Sequence, residues 1–291
     1  MRTLLLLFGS LSLSMTLSAG ELPAWQATEQ LDAPHLGQAW DTQAQRWIGA
    51  DQLVSELAGR ARVVVGEKHD NPDHHRLQLW LLQELQARRP QAALLMEMLQ
   101  PGQQAAVDTL QQRDLPASAR LQTQLDWQDG WDWALYGPLV RWGLQVPRRL
   151  LAANLGVEQM MHRYRRPPPI SSRYSAASRH VLEQTLLASH CGKLDAERLP
   201  AMLAIQQGRD EQMARVLGEA STPALLLAGD YHARRDLGVP VHWQQRWGQS
   251  PTVVLLREVG QRELPGLEQA DYVWLTPALP EQDYCAGWGE D

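Results

Sequence analysis

Phenylalanine is almost missing from this sequence, and lysine nearly so. One Phe stands against 12 Trp. Aromatic core positions therefore fall to Trp, and a Trp-rich stretch is not by itself a ligand box. Lys68 and Lys193 are the only lysines among 27 basic side chains. Any role that needs an ammonium group has those two candidates. Long basic runs are lacking as well. Arg163, Arg165 and Arg166 form the one basic block, and the formal net charge is −6. This leaves no electrostatic footprint for nucleic acid. Beyond the N-terminus no stretch reaches 18 unbroken apolar residues, so no membrane span is expected after signal removal. Cysteine is reduced to Cys191 and Cys285.

What is present begins with a targeting signal. Arg2 is a positive n-region, Leu4 to Leu13 an apolar h-region, and Ser18-Ala19-Gly20 a small-residue cleavage site before Glu21. Residues 1–20 are expected to be a signal peptide and the mature protein periplasmic. No cysteine lies near the cleavage site, so no lipid anchor is expected. Export alters the reading of the two cysteines. An oxidising compartment permits a disulfide that would tie the C-terminal tail to the body. Two free, buried thiols are the alternative.

The mature chain, 21–291, suits one large domain. After a Trp-containing lead with a short hairpin, apolar runs and helical patterns alternate. Strands are expected at Arg62–Val65, Ala92–Met98, Leu150–Ala153, Ala224–Ala228 and Thr252–Leu256, with Tyr272–Leu275 as an edge strand. Asn71-Pro72 opens a helix that carries Leu77, Trp80, Leu81, Leu82 and Leu85. Continuous apolar strands between helices predict an α/β fold with a central, mostly parallel sheet flanked by helices. Between 156 and 219 no strand pattern occurs. Helices are expected at Val157–Tyr164, Ala176–Ser189 and Ala196–Val216, an inserted all-helical subdomain.

Two motifs share a design. Gly66-Glu67-Lys68-His69 and Gly229-Asp230-Tyr231-His232 each read strand, Gly, two residues, His. One such match is weak; two at strand ends carry more weight. Ligands of open parallel sheets bind at the carboxyl ends of the strands. His69 and His232 would face one cleft there, with Glu67, Glu97 and Asn154 on the rim. Two His and one or two carboxylates suit a divalent metal or general acid–base work. A buried hydrogen-bonded network that merely holds the loops is the equal alternative. His74 and His75 cap their helix or reach the cleft. Arg209 and Asp210 reach the cleft, pair with Arg234 and Asp236, or lie on a solvated face. The helical insertion adds His162, His180, His190, Tyr164, Tyr174 and Lys193. Phenolate oxygen is a known haem-iron ligand, and cationic side chains pair with carboxylates.

The ordered set resembles the ChaN-like haem-binding family. Its carriers are Gly66-Glu67-Lys68-His69-Asp70-Asn71-Pro72 with His75, Met96-Glu97-Met98, and Gln206, Arg209-Asp210, Met213-Ala214. His190-Cys191-Gly192 and Gly229, His232, Arg234, Asp236, Gly238-Val239-Pro240 complete it. The likeness runs from about Gln45 to the C-terminus. It implies haem binding in bacterial iron uptake, a Tyr ligand to haem iron, and haem at a homodimer interface. Tyr164 and Tyr174 are the implied ligand candidates. Lys193 with His162 or His190 are the candidates for the propionates. The implied partners are haem, a second copy of the chain and components of haem transport. The wider superfamily of Tiki metalloproteases and erythromycin esterases carries similar paired Gly-x-x-His motifs. That likeness implies the rival reading, a metal-dependent hydrolase in which His69, His232 and Glu97 hold a divalent ion.

Overall fold

The computed structural model describes residues 19–260 and 263–286. The expected signal segment therefore lies outside the described residues up to Leu17 and Ser18. A hairpin, β1 (Ala39–Asp41) and β2 (Arg46–Ile48), precedes α1 (Ala50–Ala58), β3 (Arg62–Glu67) and α2 (Pro72–Arg88). β4 (Ala93–Met96) leads into α3 (Gln104–Leu110), α4 (Ser118–Gln124) and α5 (Trp133–Gln145), then β5 (Arg149–Ala152). The helices α6 (Val157–Arg165), α7 (Ala176–Ser189) and α8 (Leu199–Glu219) follow. β6 (Ala224–Gly229), α9 (Asp230–Ala233), β7 (Thr252–Glu258) and β8 (Tyr272–Thr276) close the fold.

The strands form one sheet in the order β2-β1-β8-β7-β3-β6-β4-β5. From β8 to β5 every pairing is parallel; only the hairpin joins antiparallel. This is the α/β fold expected from the sequence. One expectation is corrected. β8 is not an edge strand, because β1 pairs along it and the hairpin takes the edge. The hairpin covers backbone groups that would otherwise be exposed.

Both faces of the sheet are covered. Val63, Val65, Leu94, Met96, Leu225 and Leu227 point to one core, shared with α1, α2 and α5. Val64, Leu95, Leu226 and Leu255 point to the other, shared with Met213, Ala214 and Leu217 of α8. The alternation within each strand explains why both residue sets had to be apolar. The three helices between β5 and β6 are not a detached unit. The C-terminal half of α8 packs on the sheet, while its N-terminal half builds a small separate core with Tyr174, Leu182 and Leu237.

α2 starts where the sequence predicts. Asn71 accepts hydrogen bonds from the backbone N–H of Asp73 and His74, and Pro72 needs no donor at the first turn. The disulfide alternative for the cysteines is realised: Cys191 and Cys285 are bonded. Among the described residues no helix is long and apolar enough to cross a membrane.

Candidate functional site

The carboxyl ends of β3 and β6 deliver both Gly-x-x-His turns to one edge of the sheet. β3 and β6 are paired neighbours, and Glu67 is in register with Gly229. Strand closeness makes glycine necessary here. A Cβ on Gly229 would lie 2.7 Å from the His69 ring, and one on Gly66 would lie 2.6 Å from Ala233 of α9.

Around β3 the groups form one network. Glu67 Oε1 accepts from His69 Nδ1 at 2.7 Å and from the Tyr136 hydroxyl at 2.7 Å. His75 Nε2 donates to the His69 carbonyl at 2.9 Å and lies 3.4 Å from Glu67 Oε2. Dense protein around His69 disfavours its charge. The Glu67 hydrogen bond and the charges of Glu67 and Glu97 outweigh that and push it up to about 9. Burial and the same carboxylate drive the Tyr136 phenol far up, so it stays protonated and serves as a donor. His74 does not reach this network. It accepts from the Lys68 N–H at 2.9 Å and meets Thr276 at 3.0 Å, and its burial holds it neutral.

Around β6 a second network mirrors the first. His232 Nδ1 donates to Asp210 Oδ1 at 2.6 Å, and its Nε2 lies 3.4 Å from Glu97 Oε1. Glu97 Oε2 accepts the Gly229 N–H at 2.8 Å. Burial pushes Asp210 up to about 6, against the pull of His232. Burial opposes the His232 charge, but Glu97 and Asp210 raise it. Glu97 is lowered, since His232 and His69 together overcome its burial. Each half thus holds an imidazole whose Nδ1 is bound to a carboxylate. Asn154 is not part of either; it uses its side chain on the Leu155 N–H at 2.7 Å.

This geometry decides between the alternatives left open by the sequence. Asp210 reaches the cleft, whereas Arg234 pairs with Asp236 at 2.6 Å. Glu67, His69, Glu97 and His232 come together; the hydrogen-bonded pairs are Glu67 with His69 and Asp210 with His232, and Glu97 lies 3.4 Å from His232. Among the described residues no group of three or more His, Cys, Asp or Glu is disposed to hold a metal ion. Tyr136 is the participant that sequence reasoning missed. It stands on α5, which continues through Pro138. The recurrence of apolar residues at 136, 139, 140 and 144 is the signal that could have found it.

The haem-directed candidates, His190 excepted, lie elsewhere. Tyr174 is buried, and its hydroxyl meets His242 Nε2 at 2.8 Å. Burial and the charges of Asp210 and Glu211 disfavour its phenolate, while burial lowers His242 to about 4. Tyr164 is exposed on α6. Val157, Met161 and Tyr164 are 54%, 42% and 38% exposed and stand four and three residues apart, on one face of that helix. His162 shares α6 and is exposed, as are Arg165, Arg166 and Lys193. His190 ends α7, bonds the Leu186 carbonyl at 2.7 Å, and lines a cavity of about 520 Å³ that also contains His69 and His232. Tyr231 lines the same cavity as a further exposed phenol.

The family model for haem-binding uptake, Tiki superfamily, ChaN, matches residues 53–243. The structure is similar to the ChaN of Campylobacter jejuni, which binds haem cofacially: 25% identity, TM-score 0.70, covering 81% of this chain and 95% of that one. It is also similar to an open-conformation His-to-Asn mutant of the erythromycin esterase EreC, at 14% identity and TM-score 0.43, covering 84% of this chain and 83% of that one. No curated protein matches the sequence.

Proposed function

On the premise that this chain belongs to the ChaN haem-binding uptake family of the Tiki superfamily, we propose that it binds haem in the periplasm for iron acquisition, with Tyr164 as the iron ligand. The observation that carries this reading is the exposed stripe of Val157, Met161 and Tyr164 on α6. Three large apolar side chains on one exposed helix face are expected where a partner or ligand covers them. Haem offers a flat apolar ring system, and a phenolate is an established ligand for its ferric iron. The residues present fit the group. Tyr174 is the weaker candidate, because its hydroxyl is buried and engaged with His242. Lys193 and His162 are the side chains offered to the propionates, and Arg165 and Arg166 add charge at the end of α6; His190 instead lines the sheet-edge cavity.

Cofacial haem is what the Campylobacter relative binds. For this chain we place the haem between two copies, each offering its α6 face, with transfer to or from haem-transport components. The signal-like N-terminus and the Cys191–Cys285 bond support export, since disulfides persist in oxidising compartments.

Hemin titration of the mature protein tests the reading. Saturable binding with a high-spin ferric spectrum is expected, changed by Tyr164→Phe and unchanged by Tyr174→Phe. No saturable binding, or an unaltered spectrum in Tyr164→Phe, sinks it. A second reading, hydrolysis in the Gly-x-x-His cleft, is favoured by its two carboxylate–imidazole pairs. Ester turnover abolished by His69→Ala would support it.

A further inference from the structure

The cavity at the carboxyl edge of the sheet is larger than a hydrogen-bonded loop network needs. Its volume of about 520 Å³ falls within the range of roughly 300–1,000 Å³ typical of small-molecule sites. One wall is apolar, built by Leu182 and Leu186 of α7 and Met202 and Ile205 of α8. Much of the remaining lining is charged, and Arg209 stands on α8 itself, one turn after Ile205.

Most of those charges already have partners. Lys68 pairs with Glu258 at 3.1 Å, Arg257 with Asp230 at 2.8 Å, His69 with Glu67 and His232 with Asp210. Arg209 is different. Among the described residues no carboxylate lies within ion-pairing distance of it, and its one hydrogen-bonding contact is the Met160 sulfur at 3.6 Å. Its Nε is buried without a partner. Glu97 and Asp210 are the nearby negative charges, but Glu97 is turned to Gly229 and His232, and Asp210 Oδ1 to His232. An unsatisfied guanidinium on a cavity wall carries a desolvation cost that a bound anion would offset. The planar fork suits a carboxylate or phosphate.

The geometry points to a binding site for an amphipathic anion, its carboxylate or phosphate head on Arg209 beside His232 and its apolar tail along Leu182, Leu186, Met202 and Ile205. This site is distinct from the α6 face and holds whether or not haem binds there. It requires no turnover.

Calorimetric titration of the full mature chain with decanoate and with decyl phosphate tests it, with decanol and decyltrimethylammonium as probes of the same tail. Saturable binding of one or both anions is expected, and the stronger of the two identifies the head group. Decanol and the cation should bind about tenfold more weakly or worse, the scale of one charge-assisted contact. Arg209→Gln should weaken the anion by about tenfold with an unchanged melting temperature. Ile205→Trp, which fills the cavity and leaves every charge in place, should abolish binding and decides the matter if the Arg209 variant fails to fold. Tyr164→Phe should bind the anion as the parent does. Decanol binding as well as the anions, full affinity in Ile205→Trp, or loss of binding in Tyr164→Phe would each overturn the proposal.

Discussion

At the residue scale, the cleft rests on two glycines and the histidines they admit. Gly66 is the tighter of the two, but Gly229 bears on the chemistry, because a Cβ there would meet the His69 ring. Gly229→Ala forces that ring or the strand to move. We expect a loss of about 1–3 kcal/mol, the usual range for overpacking. Urea denaturation would measure it, and a shifted His69 resonance would confirm the cause. His69 also sets a pH dependence. Its proton is held more tightly folded, at about 9, than at the ordinary 6.5. The stabilisation is therefore complete below about 6.5 and is lost as pH rises through about 9. Urea midpoints from pH 7 to 10 should fall in the parent and flatten in His69→Asn. Equal slopes would show that the Glu67 contact does not favour the charged ring. The Gly-x-x-His spacing made both histidines legible in the sequence. Their hydrogen-bond partners were less so: Tyr136 comes from a helix with an internal proline, and Asp210 lies mid-helix among solvated-looking neighbours.

At the element scale, α6 is the unusual piece. None of its residues is buried, and its apolar side chains form an exposed stripe. The sequence gives the helix its period, but only the packing of α6 against α8 decides which face is left open; Arg163 turns inward to Glu211 at 2.6 Å. Met161→Glu should weaken hemin binding severalfold yet change stability by less than about 0.5 kcal/mol, as exposed substitutions generally do. A large stability loss would instead mean that Met161 is covered by the fold. α7 and α8 were equally readable as helices from their spacing. Their joint role as a cavity wall was not, because it depends on where the parallel sheet ends beneath them.

At the scale of the whole molecule, the tail is tied across the fold. Cys191 and Cys285 close a loop with a sequence separation of 94, and Tyr284 donates to Asp70 beside the cavity. Cys191→Ser with Cys285→Ser should cost about 4.6 kcal/mol on the chain-entropy view, seen as a lower melting temperature that reductant no longer changes. An unchanged melting temperature would show that the bond constrains little. The sequence by itself determined the α/β class, the six parallel strands, the start of α2 and the two histidine turns. Those features are written in local period and in glycine, proline and capping chemistry, which act over a few residues. Only the tertiary structure decided that β8 is interior, that Tyr174 is buried and Tyr164 open, that each cleft imidazole is bound to a carboxylate, and that Arg209 is left without a carboxylate. Each of these depends on groups far apart in the chain meeting at set distances, and on which polar atoms lose water when they do.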